Sequence, residues 1–365
     1  MTEVQEMAVE ATAPVLDESK IEQFLGQVVA DGGAAMSALL VYVGERLGLW
    51  EALAERGPCT PSDLAEATRT HERMVREWLN AQAAGGWVTY EPEAGRYSLP
   101  AEHAFAIVSP HSPVGVGGVF QLVVSGYRSV DKVVEAMRTG KGLGWADHHP
   151  DLFEGVERGL GPVYRAMLTT EWVPALDGVE ERLSAGGARV ADVGCGHGAS
   201  TLLMAEAYPD IEITGFDLHE PSIATARARA EAAGLADRVS FEVASATDVP
   251  GEYDLVMFCD CLHDMVDPLG AARRAAEVLA PGGTLMLVEP NAGDRLQDNL
   301  NPVGRWFYAA STLFCTPCSL ADDGPALGAQ AGEARLRAIF HEAGFSHFRR
   351  AAEAPFNLVY EARAS

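Results

Sequence analysis

Apolar residues along this chain change their period near residue 188. Before that point they recur three and four apart. "MSALLVYVGERLGLWEALAERG" (36–57) keeps that spacing, which predicts amphipathic helix. "CTPSDLAEATRTHERMVREWLNAQAAGGWVTYEPEAGRYSLP" (59–100) reads as two short helices and a hairpin. Thr60 is placed as an N-cap ahead of Pro61 at the first helical position, and acidic Asp63 suits the first turn. "GGWVTYEPEAGRYSLP" sets strand residues around a turn. Helices followed by a hairpin make a winged-helix pattern, which serves either DNA binding or dimerisation. Residues 111–183 read as helical and rich in glycine and aromatics, with "GWADHHPDLFEGVERGLGPVYRAML" inside. A connector that caps a pocket and plain helical packing between domains both fit this stretch.

From 188 onward strands alternate with helices. "ARVADVG", "IEITGFD", "RVSFEVA", "YDLVMFCD" and "PGGTLMLVEP" are predicted strands. "ASTLLMAEAY", "PSIATARARAEAAG" and "DPLGAARRAAEVL" are the helices between them. The helix "AGEARLRAIFHEAG" and the strands "FSHFRRA" and "FNLVYEARA" finish the pattern. Such alternation implies an α/β domain with a mainly parallel, doubly wound sheet and helices on both faces. Its ligands belong at the carboxyl ends of the strands, near the switch point. The expected organisation is a disordered tail (1–18), a mostly helical winged-helix-like dimerisation domain (19–110), a helical connector or substrate cap (111–183) and the α/β domain (184–365).

Composition narrows the function. The 365 residues are 48% hydrophobic and 22% charged, as in a soluble globular chain. The net charge of −25 argues against a duplex-binding protein, which needs a basic stripe for phosphates, and against anionic membrane surfaces. The acidic N-terminus has no apolar signal-peptide core. The uncharged stretch 112–127 is too short and glycine-broken to span a bilayer. Six cysteines without an export signal fit a cytoplasmic setting. Neither a nucleic acid nor a membrane is therefore expected as a partner.

The chemistry is concentrated in "VADVGCGHGAST" (190–201). Gly194, Gly196 and Gly198 follow a strand and open a helix, which permits a tight turn and close approach of a ligand to the backbone. "GCGHGA" also satisfies the dinucleotide fingerprint, so glycine spacing does not choose between cofactors. Asp192 does bear on the choice. A carboxylate just before the turn opposes a dianionic pyrophosphate and suits the ammonium and sulfonium of S-adenosylmethionine. Asp217, ending the next strand, is the acidic residue expected on ribose hydroxyls.

"VADVGCGHG", "GFD", "YDLVMF" and "LAPGGTLMLVEP" together resemble the successive motifs of class I S-adenosylmethionine-dependent methyltransferases, over about 188–362. With the preceding regions the chain resembles small-molecule O-methyltransferases of plants and actinomycetes. Nearest is an actinobacterial and mycobacterial group carrying "CLHDM" and "NPVGRxFYAASTL" stretches. The resemblance implies a Rossmann-like sheet, parallel with an antiparallel last strand, and a homodimer formed through the N-terminal domain. It implies that Asp192, Gly194 and Gly196 line the methionine end of S-adenosylmethionine, with Gly198 completing the turn. Asp217 and Leu218 would hold the ribose, Ser245 and Ala246 would flank the adenine, and Cys259 and Asp260 would complete the wall. Many relatives have Asp where Ser245 stands.

The fourth strand of this domain leads into "CLHDM", which places His263 beside the cofactor crevice. A hydroxyl acceptor is a poor nucleophile until it loses its proton, and a histidine is suited to take it. His263 also matches the catalytic histidine of the "HDW" motif, with Met265 where the tryptophan stands. Glu289 matches a carboxylate that orients that histidine, and Asp264 is a second acid beside it. Arg305 and Tyr308 are candidates to face the substrate, with Trp145, His148, His149 and Phe153 walling the other side. The cysteines offer two metal readings: Cys259, Cys261, Cys315 and Cys318 as four thiolates, or His263 and Asp264 as ligands. The first pair lies in a packed strand, and no histidine lies between Glu289 and His341 to complete the second set. No metal is expected. Methyl transfer to a small-molecule hydroxyl is the leading reading. Its alternatives are C- or N-methylation on the same scaffold, a DNA-binding regulator with a vestigial methyltransferase domain, and a nicotinamide oxidoreductase.

Overall fold

The computed structural model describes residues 16–109 and 112–364. The expected tail at 1–18 lies mostly outside them, as does the expected domain boundary at 110–111. The first helix, α1 (Glu18–Arg46), is capped by the Asp17 side chain. It leads into α2 (Leu49–Arg56), α3 (Pro61–Thr68), α4 (Glu72–Ala84) and the hairpin β1 (Thr89–Glu91)–β2 (Arg96–Ser98). The sequence signals at α3 are realised as a capping box: Asp63 N–H donates to Thr60 Oγ1 and Thr60 N–H to the Asp63 carboxylate. Trp50 and Trp78 meet edge to face at 4.7 Å in the core of this unit. Their indole N–H groups donate to the carbonyls of Val41 and Leu40, so neither buried donor is left without a partner.

A short helix, α5 (Ala101–Ile107), precedes α6 (Gly117–Thr139) and α7 (Asp151–Met167). The last two pack tightly against each other. A Cβ on Gly155 would come within 2.7 Å of the Leu122 backbone nitrogen, so only glycine allows this crossing. A π-turn at Leu168–Trp172 follows α7 and drives Leu168 and Trp172 into the core.

The α/β domain begins after α8 (Val179–Ser184). Its elements are β3 (Arg189–Val193), α9 (Ala199–Ala207), β4 (Glu212–Asp217), α10 (Glu220–Ala232), β5 (Val239–Val243), β6 (Tyr253–Cys259), α11 (Pro268–Val278) and β7 (Leu279–Pro290). Then follow α12 (Pro302–Ala310), α13 (Thr316–Leu320), α14 (Glu333–Glu342), β8 (Phe345–Glu353) and β9 (Asn357–Ala364). The seven strands are ordered β5-β4-β3-β6-β7-β9-β8. All neighbours from β5 to β7 are parallel, and β9 inserts antiparallel between β7 and β8.

Alternation along β6 shows why the strands are continuously apolar. Leu255, Met257 and Cys259 pack on one face with α9, α10 and Trp172. Val256 and Phe258 pack on the other with α11 and α14. Both faces are buried, so no polar face is needed. The chain runs outward from β3 in one direction and returns through β6 in the other. The switch point therefore lies between β3 and β6, where a crevice opens at the carboxyl ends.

Candidate active site

The glycine turn follows β3. Gly194 and Cys195 N–H both donate to the Phe216 carbonyl, at 2.7 and 3.0 Å. Gly196 N–H donates to Asp217 Oδ2 at 2.9 Å, and His219 N–H to Oδ1 at 2.8 Å. The carboxylate that ends β4 thus fastens the turn that ends β3. Gly194 has φ 75°, and a Cβ there would meet Cys261 Sγ at 2.7 Å. Asp192 has a different place from the one expected. It is fully buried and accepts from Ser200 Oγ and Thr201 Oγ1, each at 2.6 Å. It anchors the start of α9 and does not line the crevice.

The crevice is a cavity of about 480 Å³, a size that suits a small-molecule ligand. Gly194, Gly196, Asp217, Leu218, Ser245, Ala246, Cys259 and Asp260 all line it. Gly198 does not; it starts α9 in a left-handed conformation. Ser245 Oγ is paired with Thr247 Oγ1 at 2.8 Å.

One face of α7 roofs the cavity. Phe153, Glu157, Leu160 and Tyr164 line it together with Trp145. Phe153 stacks on His219 at 4.3 Å. Glu157 meets His197 Nδ1 of the glycine turn at 2.8 Å and pairs with Arg229. Tyr164 O–H donates to Asp260 Oδ2 at 2.7 Å, and Asn357 Nδ2 donates to Oδ1 at 2.9 Å. Asp260 holds φ 51°, an uncommon conformation for a residue with a side chain. Burial, with Glu289 nearby, raises its pKa to about 7, and the bonds from Tyr164 and Asn357 oppose the rise. Glu157 and Tyr164 were missed from the sequence. Their spacing from Phe153 along one helical face was the available signal.

His263 stands in a single 3₁₀ turn after β6, and Glu289 near the end of β7. Their side chains meet at 2.6 Å, Nδ1 to Oε2, and both are almost fully buried. Burial disfavours the charged ring, yet the Glu289 carboxylate carries the His263 pKa well above its ordinary value. Asp264 lines the cavity, and burial raises its carboxyl to about 7.

The four outer candidates lie off the cavity lining. Arg305 is exposed and pairs with Asp31 of α1 at 3.0 Å, which draws it away from the crevice. Tyr308 lies against Asn299. His149 accepts from the Asp151 N–H at 3.2 Å on the surface of the connector. His148 is buried among Trp145 and Phe314, and that apolar setting lowers its pKa to about 4. Among the described residues the four thiols do not gather into one group; Cys315 lies with His263 and Asp264 instead.

Residues 184–344 match the family described as "Methyltransferase domain", and residues 35–108 match "Rv2258c-like winged HTH domain". This chain carries a methyltransferase domain behind a winged helix-turn-helix domain. A 27-O-demethylrifamycin SV methyltransferase of Amycolatopsis mediterranei is 40% identical over 104 residues, 28% of this chain and 38% of that protein. The chain therefore spans well under half of that relative. A mitomycin biosynthesis 6-O-methyltransferase of Streptomyces lavendulae is 27% identical over 325 residues, 85% of this chain and 86% of that one. Among solved structures, a mitomycin 7-O-methyltransferase superposes with TM-score 0.71 at 22% identity, covering 95% of this chain and 99% of that chain. The likeness extends across both domains.

Proposed function

We propose that this methyltransferase moves a methyl group from S-adenosylmethionine to a hydroxyl of a small molecule, with His263 as the base. The observation that carries the reading is the His263–Glu289 pair at the carboxyl end of the sheet. The crevice fits the cofactor. Its glycine turn leaves backbone exposed, Asp217 stands at the strand end where ribose hydroxyls are recognised, and its carboxylates complement a cation. When bound, the cofactor supplies an electrophilic methyl on a sulfonium. Glu289 accepts from His263 Nδ1–H, which orients the ring and raises its basicity, and Nε2, once it has given up its own proton, takes the acceptor's. Asp217 holds the turn, and the α7 roof limits water. Trp145 and Phe153 supply apolar walls, which suits a largely apolar or aromatic acceptor.

The N-terminal domain serves dimerisation in this reading. Arg73 and Arg76 of α4, the second helix of the helix-turn-helix, are paired within the helix with Glu77 and Glu72. That pairing and the net charge of −25 disfavour a phosphate-binding surface.

The test uses methyl-deuterated S-adenosylmethionine with an extract of the source organism and mass spectrometry of the products. A product that gains the labelled methyl on oxygen supports the proposal. Label on nitrogen or carbon keeps the methyltransferase and overturns the hydroxyl acceptor. The His263→Ala protein should bind cofactor as before and turn over ~10²–10⁴-fold more slowly, the range for loss of a general base. Unchanged turnover would make His263 structural.

A further inference from the structure

We propose that His263, Asp264 and Cys315 form a binding site for a single zinc ion, and that zinc bound there switches methyl transfer off. The ligand atoms of these three side chains all lie within 4.8 Å of one another. Asp264 and His263 share one 3₁₀ turn, and Cys315 arrives from the π-turn Ser311–Cys315 that joins α12 to α13. The segments are 51 residues apart at their closest ligands, Asp264 and Cys315, so neither sequence reading of the cysteines and acids could combine them.

The donor set suits zinc. One imidazole, one carboxylate and one thiolate make three protein ligands, and the fourth tetrahedral position stays open, as in zinc sites that exchange ligands. Thiolate beside imidazole selects zinc over magnesium or calcium, which prefer oxygen alone. Two further observations point to a ligand. Glu289 grips His263 Nδ1 at 2.6 Å, the outer carboxylate–histidine contact that orients a metal-binding imidazole, and the same ring is in hydrogen-bonding contact with Cys315. The Asp264 carboxyl is half-buried and lines the cavity, and among the described residues no other residue donates a hydrogen bond to it.

The consequence rests on the reading of His263 as base. Zinc on Nε2 occupies the lone pair that takes the acceptor's proton. On binding, the Cys315 thiol releases its proton to solvent and the ion takes the thiolate. Methyl transfer then stops.

The experiment titrates zinc chloride into the full chain, freed of metal by a chelator, and follows binding by calorimetry. Cobalt(II) is used in parallel for its thiolate-to-metal absorption band. One ion per chain is expected, with the cobalt band present. Cys315→Ser should abolish the band and weaken zinc at least tenfold, and Asp264→Asn should weaken zinc while keeping the band. A thermal melt of each variant checks folding. Absence of one-to-one binding, or unchanged binding in both variants, overturns the site. Methyl transfer in the presence of chelator is measured separately. Its failure there would sink the methyltransferase reading and leave the zinc result standing. Zinc that binds with the cobalt band but leaves turnover intact would overturn the switch.

Discussion

Asp260 keeps a carboxyl in a place that disfavours its charge. Burial raises its pKa from 3.8 to about 7. Between those values the folded chain holds a proton that the unfolded chain has released. Folding then binds more protons, so stability falls as pH rises from about 4 to about 7. Asp260→Asn should flatten part of that slope in denaturant melts of the cofactor-free protein. It should also raise stability near neutral pH, because the buried charge is gone while Tyr164 O–H keeps an acceptor. A steeper slope, or loss of stability at pH 7, would show that the anion is the favoured form and that Tyr164 and Asn357 outweigh burial. Residue-scale chemistry was legible only where a side chain meets a near neighbour in topology. Glu289 lies at the end of β7 and His263 in the turn that follows the adjacent parallel strand β6, so their meeting follows from the sheet. Asp192 was read as a ligand group, whereas Ser200 and Thr201, across the glycine turn at the start of α9, take up its carboxylate. Arg305 was read towards the substrate because nothing in its own segment discloses Asp31, more than two hundred residues earlier.

Elements were easier to read than their contacts. The strands announced themselves as apolar runs between turn signals, and the capping box at Thr60 fixed the start of α3. The connector was harder, since its role comes from how closely α7 can lie on α6. That closeness is set by Gly155, whose missing side chain lets the Leu122 backbone approach. Gly155→Ala should push the two helices apart, at a cost of about 1–3 kcal/mol for overpacking. Because Phe153, Glu157 and Tyr164 hang from the same helix, the roof of the crevice shifts with it. We expect a lower melting temperature and weaker S-adenosylmethionine binding by calorimetry, with the turn at Gly194 intact. A variant that loses stability but binds the cofactor unchanged would separate the helix from the pocket and make α7 a spacer.

On the scale of the whole molecule, α1 is the part that a single chain does not account for. It is 29 residues long, and Ile21, Phe24, Leu25, Val28 and Val29 are all exposed on it. An 18-residue window has mean hydropathy 1.5 with only 11% of it buried. By length and composition this helix passes as a membrane span, and the sequence reading looked for one elsewhere, at 112–127. Its C-terminal half is packed into the chain, with Val41 and Tyr42 buried and the carbonyls of Val41 and Leu40 accepting from Trp50 and Trp78, whereas its N-terminal half is largely exposed apart from the Asp31–Arg305 pair. A second copy is the partner proposed above for the N-terminal domain. In a two-fold interface each side chain counts twice. Phe24 and Val28, four apart on one face, would contribute about 1.5–3 kcal/mol each per copy if fully buried. Replacing both with Glu therefore removes about 6–12 kcal/mol, against about 8 for a micromolar dimer. Light scattering should show a dimer for the native chain and a monomer for the Phe24→Glu, Val28→Glu double variant. A native monomer in solution would overturn the dimer, and flotation of that monomer with neutral lipid vesicles, lost in the double variant, would assign α1 to a bilayer.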